Sequence, residues 1–402
     1  MNIFKLNVCL LVAWCLSAFS INAQEDKKDG LQFSALTWDE VRAEAKETGK
    51  PIFVDAFTTW CGPCKKMARD VFPQKAVGKY MNENYLSVKL DMEKGEGLDF
   101  ASTYSVVAYP TLLFFDADGA LQHRVTGYLT VDELLEDANI ATDPSKALIG
   151  LKNKYESGKR DKATVMNYAF ALRKANLPAT EVTKEYIAKL KSSDLNDKTI
   201  QQFILAFADN VNSKSFKMLT DNKSKFVTSF GEEKVNDAIK RSALRSVSLA
   251  ASNEQGVTMS QIKKVLKAHG GDNAKNLTNY AYMGYHQIQK DWDAYAKFAI
   301  KYINTLSEKN SSDLNNIAWA FFENIDNPKM LDKAVNWAKE SVDLDCQYYN
   351  CDTYAALLYK TKSYTKAKMA AEKAIEQAKI GGDAYDETQN LLNKINAAIA
   401  NM

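Results

Sequence analysis

Two cysteines two residues apart, Cys61 and Cys64, are the part of this chain best suited to chemistry; they lie in the run Thr58 to Met67, which reads TTWCGPCKKM. Such spacing serves a metal clip, a structural disulfide or a pair that makes and breaks a disulfide during a reaction. A tetrahedral metal site needs four ligands, and His123, His269 and His286 show no ligand spacing with the pair, so no metal is expected. A purely structural bridge would close too short a loop to remove much entropy from the unfolded chain. The reacting pair makes better use of the spacing. A cysteine at a helix amino terminus meets unpaired N–H groups and the positive end of the helix dipole, which favour its thiolate. The second thiol is then held close enough to resolve a mixed disulfide. Pro63, in the first turn, costs no helical hydrogen bond, and Gly62 keeps the approach uncrowded.

The remaining cysteines define a context. Lys5 precedes an apolar run from Val8 to Phe19, and Ser20-Ile21-Asn22-Ala23 then offers a small residue before Gln24, the order of a secretory signal peptide over residues 1–23. The run is short of the about 20 apolar residues that a bilayer span needs. No later segment comes close, so the mature chain is expected to be exported without a membrane span. Cleavage would discard Cys9 and Cys15 and leave two close pairs, Cys61 with Cys64 and Cys346 with Cys351. In an oxidising compartment Cys346 and Cys351, which flank Gln-Tyr-Tyr-Asn at a turn, read as a local disulfide staple. Two unpaired thiols, or an internal electron relay with Cys61, are the alternatives. The ending Ala400-Asn401-Met402 is not a reticulum-retrieval signal, which points to a bacterial periplasm.

The elements that must position the first pair follow from pattern. A chain of 402 residues, 46% hydrophobic and 25% charged, is globular and long enough for two domains. With 52 Lys plus Arg against 50 Asp plus Glu, nothing in the charge calls for a nucleic-acid partner. After a short segment over 24–30, residues 31–141 alternate helical and strand signals. Thr37-Trp38-Asp39-Glu40 is a capping box opening a helix through Lys46, with Gly49 as its stop. Ile52 to Phe57 reads as a buried strand, followed by the cysteine motif and a helix through about Met81. Leu86 to Leu90, Thr111 to Phe115 and Gln122 to Thr126 read as further strands, the last two joined by the turn Asp116 to Gly119. A helix through Thr103 and Tyr104 lies between the first two of these, and Thr130 to Glu133 caps a final helix. This order predicts an α/β domain with a mixed sheet and flanking helices.

Beyond Thr142-Asp143-Pro144 the strand signals stop, and residues 142–402 read as all-helical. An offset of 33 relates Phe321, Ile325, Leu331, Ala334, Ala338, Ser341 and Val342 to Tyr354, Leu358, Tyr364, Ala367, Ala371, Ala374 and Ile375, clearest over about 316–380. This pattern resembles a tetratricopeptide repeat, in which each helix pair buries its face by stacking on a neighbour. Lys362 stands where that family often has glycine, and Cys346 where it often has proline.

Trp60-Cys61-Gly62-Pro63-Cys64-Lys65 after the strand Ile52 to Phe57 resembles thioredoxin, and the resemblance runs over about 110 residues. It implies that Cys61 attacks a substrate disulfide, that Cys64 resolves it, and that Asp55, six positions before Cys61, is a buried proton acceptor for Cys64. Lys89 matches the lysine that neighbours this carboxylate. Tyr109-Pro110 matches the cis-proline site opposite the cysteines, where backbone pairs with an incoming substrate strand. Gly127, with Trp60, Gly62 and Pro63, completes the implied substrate groove. Phe57 departs from the family's tryptophan, and Lys65 to Phe72 resembles the exported thioredoxin-like domains of bacterial thiol:disulfide interchange proteins.

The resemblance implies an exported enzyme that exchanges disulfides in other exported proteins, served by a thiol electron donor or acceptor and needing no cofactor. Gly-Pro between the cysteines favours the reducing direction; isomerase and oxidase remain alternatives. A protein partner is expected on the helical repeat. In the competing reading that repeat is the functional part and the pair is vestigial.

Overall fold

The computed structural model describes residues 29–401; the predicted leader, with Cys9 and Cys15, lies outside them. The described chain divides into two compact units, with the main boundary after Thr142.

The first unit is α/β. Helix α1 (Trp38–Thr48) opens on a capping box in which Thr37 Oγ1 accepts from the Glu40 N–H and the Glu40 carboxylate accepts from the Thr37 N–H, and it stops at Gly49 with φ 69°. Strand β1 (Ile52–Phe57), helix α2 (Gly62–Asp70), helix α3 (Lys75–Asn84), strand β2 (Leu86–Asp91), helix α4 (Gly97–Thr103), strands β3 (Thr111–Phe115) and β4 (Leu121–Thr126), and helix α5 (Val131–Ala141) follow. The sheet order is β2-β1-β3-β4, with β1 parallel to β2 and antiparallel to β3. The two central strands are buried almost throughout, as expected of apolar runs covered on both faces. Val54, Ala56, Leu113 and Phe115 pack with Val41 and Ala45 of α1 and Phe100 of α4. On the other face Phe53 and Phe114 bring their rings to 5.1 Å.

One expectation is corrected. The single helix expected from Cys64 to about Met81 is two helices, broken over Val71–Gln74. Pro73 is the cause: it has no N–H to donate, its ring crowds the preceding turn, and it pushes Phe72 away from helical geometry. Gly78 then lets α3 lie against the amino-terminal segment, since a Cβ there would sit 2.1 Å from the Asp29 carbonyl oxygen.

From Leu148 to Ala400 the second unit consists of fifteen α-helices and two short 3-10 turns, with no strand among its described residues. Its apolar side chains gather into successive cores. One surrounds Phe203, Phe226, Ile239 and Leu266, one Tyr295, Phe321 and Trp337, and one Ala367, Ala371 and Ile395. The helices Ser311–Asn324 and Pro328–Leu344 pack as a pair, as do Tyr348–Lys360 and Tyr364–Gly381. Helix Tyr348–Lys360 ends with the Ser363 N–H donating to the Leu358 carbonyl at 2.8 Å and the Lys362 N–H to that of Tyr359 at 3.0 Å. Lys362 therefore takes the left-handed conformation, φ 60°, usual for glycine at that place.

Candidate redox site

The site is assembled at the end of β1. Chain direction carries the strand out through Phe57, a turn closed by the Cys61 N–H donating to the Thr58 carbonyl at 3.3 Å follows, and α2 starts at Gly62. Cys61 thus immediately precedes the helix and Cys64 lies in its first turn, the placement that stabilises a thiolate at the first sulfur. The two sulfurs are bonded to each other. Both cysteines are 2% exposed, whereas the neighbouring Trp60 is 62% exposed.

On the strand that leads to the motif, strand register sets a buried ion pair. Asp55 on β1 lies directly across from Lys89 on β2, and the Lys89 Nζ is 3.2 Å from the Asp55 Oδ2. The Asp55 side chain is 1% exposed and that of Lys89 27%. Burial raises the Asp55 carboxyl above its ordinary range, because the charged form loses hydration; the nearby ammonium opposes that rise in part. The contact is an ion pair without good hydrogen-bond alignment, and neither carboxylate oxygen is otherwise satisfied. A carboxyl raised in this way holds a proton more readily than an exposed one and can both accept and return it.

Lys89 is itself held by rings. Its Nζ lies 4.4 Å from the Phe57 centroid and 5.8 Å from those of Phe33 and Phe72, and Phe33 meets Phe72 edge-on at 5.3 Å. Three rings around one ammonium attract it and hold it beside Asp55. Sequence reasoning missed Phe33 and Phe72. They come from the amino-terminal segment and from the turn broken by Pro73, so no periodicity joins them to Lys89.

The expected cis-proline segment precedes β3. The Tyr109–Pro110 peptide bond is cis, Pro110 is buried, and the Pro110 carbonyl accepts the Gly127 N–H at 2.8 Å. Gly127 has φ 105°, a conformation that suits glycine alone. Burial, with Glu93 and Asp91 adding to it, raises the Tyr109 hydroxyl above its usual range. Lys66 of α2 sits 4.5 Å over the ring of Tyr128, which joins α2 to the segment carrying Gly127. Val107, 76% exposed, is an apolar side chain in the loop before Pro110 that the sequence reading did not single out. Of the other expected residues, Cys346 and Cys351 lie in the helical unit, with sulfurs 3.0 Å apart as two thiols. Among the described residues no group of three or more His, Cys, Asp and Glu side chains is arranged to hold a metal.

A family profile described as a thioredoxin-like domain matches residues 38–138. Thioredoxin-like protein slr0233 of Synechocystis sp. is 32% identical over 91 residues, covering 23% of this chain and 81% of the relative. Thiol:disulfide interchange protein DsbD of Campylobacter jejuni is 25% identical over 124 residues, covering 30% of this chain but only 22% of its own length. A solution structure of a candidate disulphide-isomerase from Bacteroides thetaiotaomicron shares 40% identity, covering 29% of this chain and 97% of that one, with a TM-score of 0.27. With the extent of the match to slr0233, and a bonded Cys-Gly-Pro-Cys pair at the start of α2, the chain belongs to the thioredoxin-like family of thiol:disulfide oxidoreductases.

Proposed function

We propose that this protein is an exported reductase of disulfides in other exported proteins, with a redox domain over residues 31–141 and a tetratricopeptide-like helical region over 142–402 that holds a protein partner. The observation that carries the reading is the bonded Cys61–Cys64 pair at the start of α2, on the helix that follows the strand holding the buried Asp55. In this mechanism the Cys61 thiolate attacks one sulfur of a substrate disulfide. The substrate's other sulfur leaves as a thiolate, and the two proteins are joined by a mixed disulfide. Cys64 then passes its proton to the Asp55 carboxylate and attacks the Cys61 sulfur. The substrate departs as a dithiol with two electrons gained, and the protein is left oxidised. A thiol donor must reduce it again before the next cycle.

Tyr109, Pro110 and Gly127 border the place where substrate backbone would pair, with Trp60, Gly62 and Pro63 opposite. Trp60 and Val107 are exposed apolar side chains available to a substrate. Export rests on the leader read at residues 1–23, and a bacterial periplasm is the location proposed. Support for the repeat comes from the buried faces of the paired helices, where Phe321, Ala334 and Ala338 recur as Tyr354, Ala367 and Ala371.

Insulin reduction by the mature chain tests the activity. Wild type is expected to precipitate insulin chains with dithiothreitol as donor, and Cys61→Ser to fall to the donor's own rate. Equal rates would remove the enzyme reading and leave the helical region as the functional part. Equilibration with glutathione buffers tests direction, since this family spans about −270 mV for reductants to about −120 mV for oxidants. A potential near the upper figure would overturn the reductase assignment.

A further inference from the structure

The helical unit contains a second pair of sulfurs at bonding reach. Cys346 lies in the connection after helix Pro328–Leu344, and Cys351 lies in the first turns of helix Tyr348–Lys360. Their Sγ atoms are 3.0 Å apart, and a disulfide measures about 2.05 Å, so closure needs a shift of about 1 Å.

The segment between them is clamped. The Asn350 side-chain amide, itself fully buried, donates to the carbonyls of Asp345 (2.6 Å) and Ser341 (3.1 Å) and to the hydroxyls of Ser341 (3.0 Å) and Ser311 (2.9 Å). Its carbonyl oxygen accepts the Gln347 N–H at 2.9 Å. The backbone bond from the Cys351 N–H to the Gln347 carbonyl, 3.2 Å, completes the turn. A loop held this way keeps the two thiols side by side.

The two sulfurs differ in access. Cys346 is half-buried, while Cys351 is 1% exposed. Burial, followed by the hydrogen bond with Cys346, pushes the Cys351 thiol up to about 12, which removes it as an entry point.

We propose that Cys346 and Cys351 form a second, reversible dithiol–disulfide couple, entered at Cys346 by a small-molecule disulfide such as oxidised glutathione and closed by Cys351. In the first step the Cys346 thiolate attacks one glutathione sulfur, the glutathione disulfide breaks, and one glutathione leaves and takes the proton that Cys346 gave up. In the second step Cys351 attacks the Cys346 Sγ, the mixed disulfide breaks, and the second glutathione leaves with the proton from Cys351. The protein loses two electrons and two protons, and one oxidised glutathione becomes two reduced ones. This couple is separate from the Cys61–Cys64 reaction and stands whether or not that reading holds.

The test uses the full chain carrying Cys61→Ser and Cys64→Ser, equilibrated with glutathione mixtures from fully reduced to fully oxidised, alkylated and mapped by mass spectrometry. The expected result is the loss of two alkylatable thiols, at Cys346 and Cys351 together, in oxidised mixtures, and their return in reduced ones. In this background, Cys351→Ser is expected to trap one glutathione on Cys346, and Cys346→Ser to trap none on Cys351. Circular dichroism checks that each variant keeps its helices. Thiols that stay alkylatable in every mixture, a bond that reduced glutathione leaves intact in the folded chain, or an adduct on Cys351 in Cys346→Ser would each overturn the proposal.

Discussion

Asp55 is where burial of a charged group acts against the stability of this fold. Its carboxyl is raised by burial, so the folded chain keeps a proton over a pH range in which the unfolded chain has lost it. Below the ordinary carboxylate value both states are protonated and no penalty arises. Stability then falls as pH rises from that value to the raised one, and the loss persists above it. Asp55→Asn removes the titration. The variant is expected to match wild type in acid, to melt higher at neutral pH, and to lose this part of the pH dependence, as denaturation at several pH values would report. On the proposed mechanism its insulin reduction should slow about 10-fold or more, because the proposed acceptor for the Cys64 proton is gone. A variant no more stable than wild type at pH 7 would show that burial does not penalise this carboxylate. Phe57 acts through Lys89. Phe57→Leu removes the ring nearest the ammonium, an interaction worth about 0.5–2 kcal/mol, and the freed lysine should oppose the rise at Asp55 less well. An upward move of the Asp55 titration, followed by carboxyl-carbon resonance, is expected. No move would mean that the rings do not position the ammonium.

At the scale of elements, the two units are built by different local rules. In the α/β unit, strand register is decisive: a shift of one residue between β1 and β2 would turn Asp55 or Lys89 to the opposite face and separate the pair. In the helical unit, helix ends carry comparable weight. Lys362 adopts φ 60° at the end of helix Tyr348–Lys360, and an L side chain there costs about 1 kcal/mol relative to glycine. Lys362→Gly is therefore expected to raise the stability of that unit by up to about 1 kcal/mol, read from urea unfolding followed by circular dichroism. A decrease would mean that the lysine side chain contributes more than its backbone strain removes. Lys362 stood out in the sequence as a departure from the repeat pattern, and the structure keeps the glycine-like backbone without the glycine.

At the scale of the molecule, each unit has its own hydrophobic core. Phe321 is fully buried in the helical unit, 5.1 Å from Trp337 edge-on and 6.0 Å from Tyr295. Phe321→Ala should destabilise that unit by about 3–5 kcal/mol, while insulin reduction below its melting temperature changes less than about twofold. A parallel loss of redox rate would show that the Cys61–Cys64 chemistry depends on the helical core.

The cysteine motif was legible because its signal is local: Cys61, Gly62, Pro63 and Cys64 are contiguous, between a strand pattern and a helix pattern. Asp55, Tyr109-Pro110 and Gly127 were singled out only through the resemblance to thioredoxin, since nothing in their own spacing marks them. The alternation of strands and helices likewise determined the α/β class of the first unit and the helical class of the second. The break at Pro73 was the local signal misread, because helical periodicity continues on both sides of it. Tertiary structure alone decided the rest. The ring set of Phe33, Phe57 and Phe72 around Lys89, the bond from Gly127 to Pro110, and the Asn350 clamp that holds Cys346 against Cys351 join residues through packing and backbone hydrogen bonds, and no repeat or spacing along the chain encodes those distances.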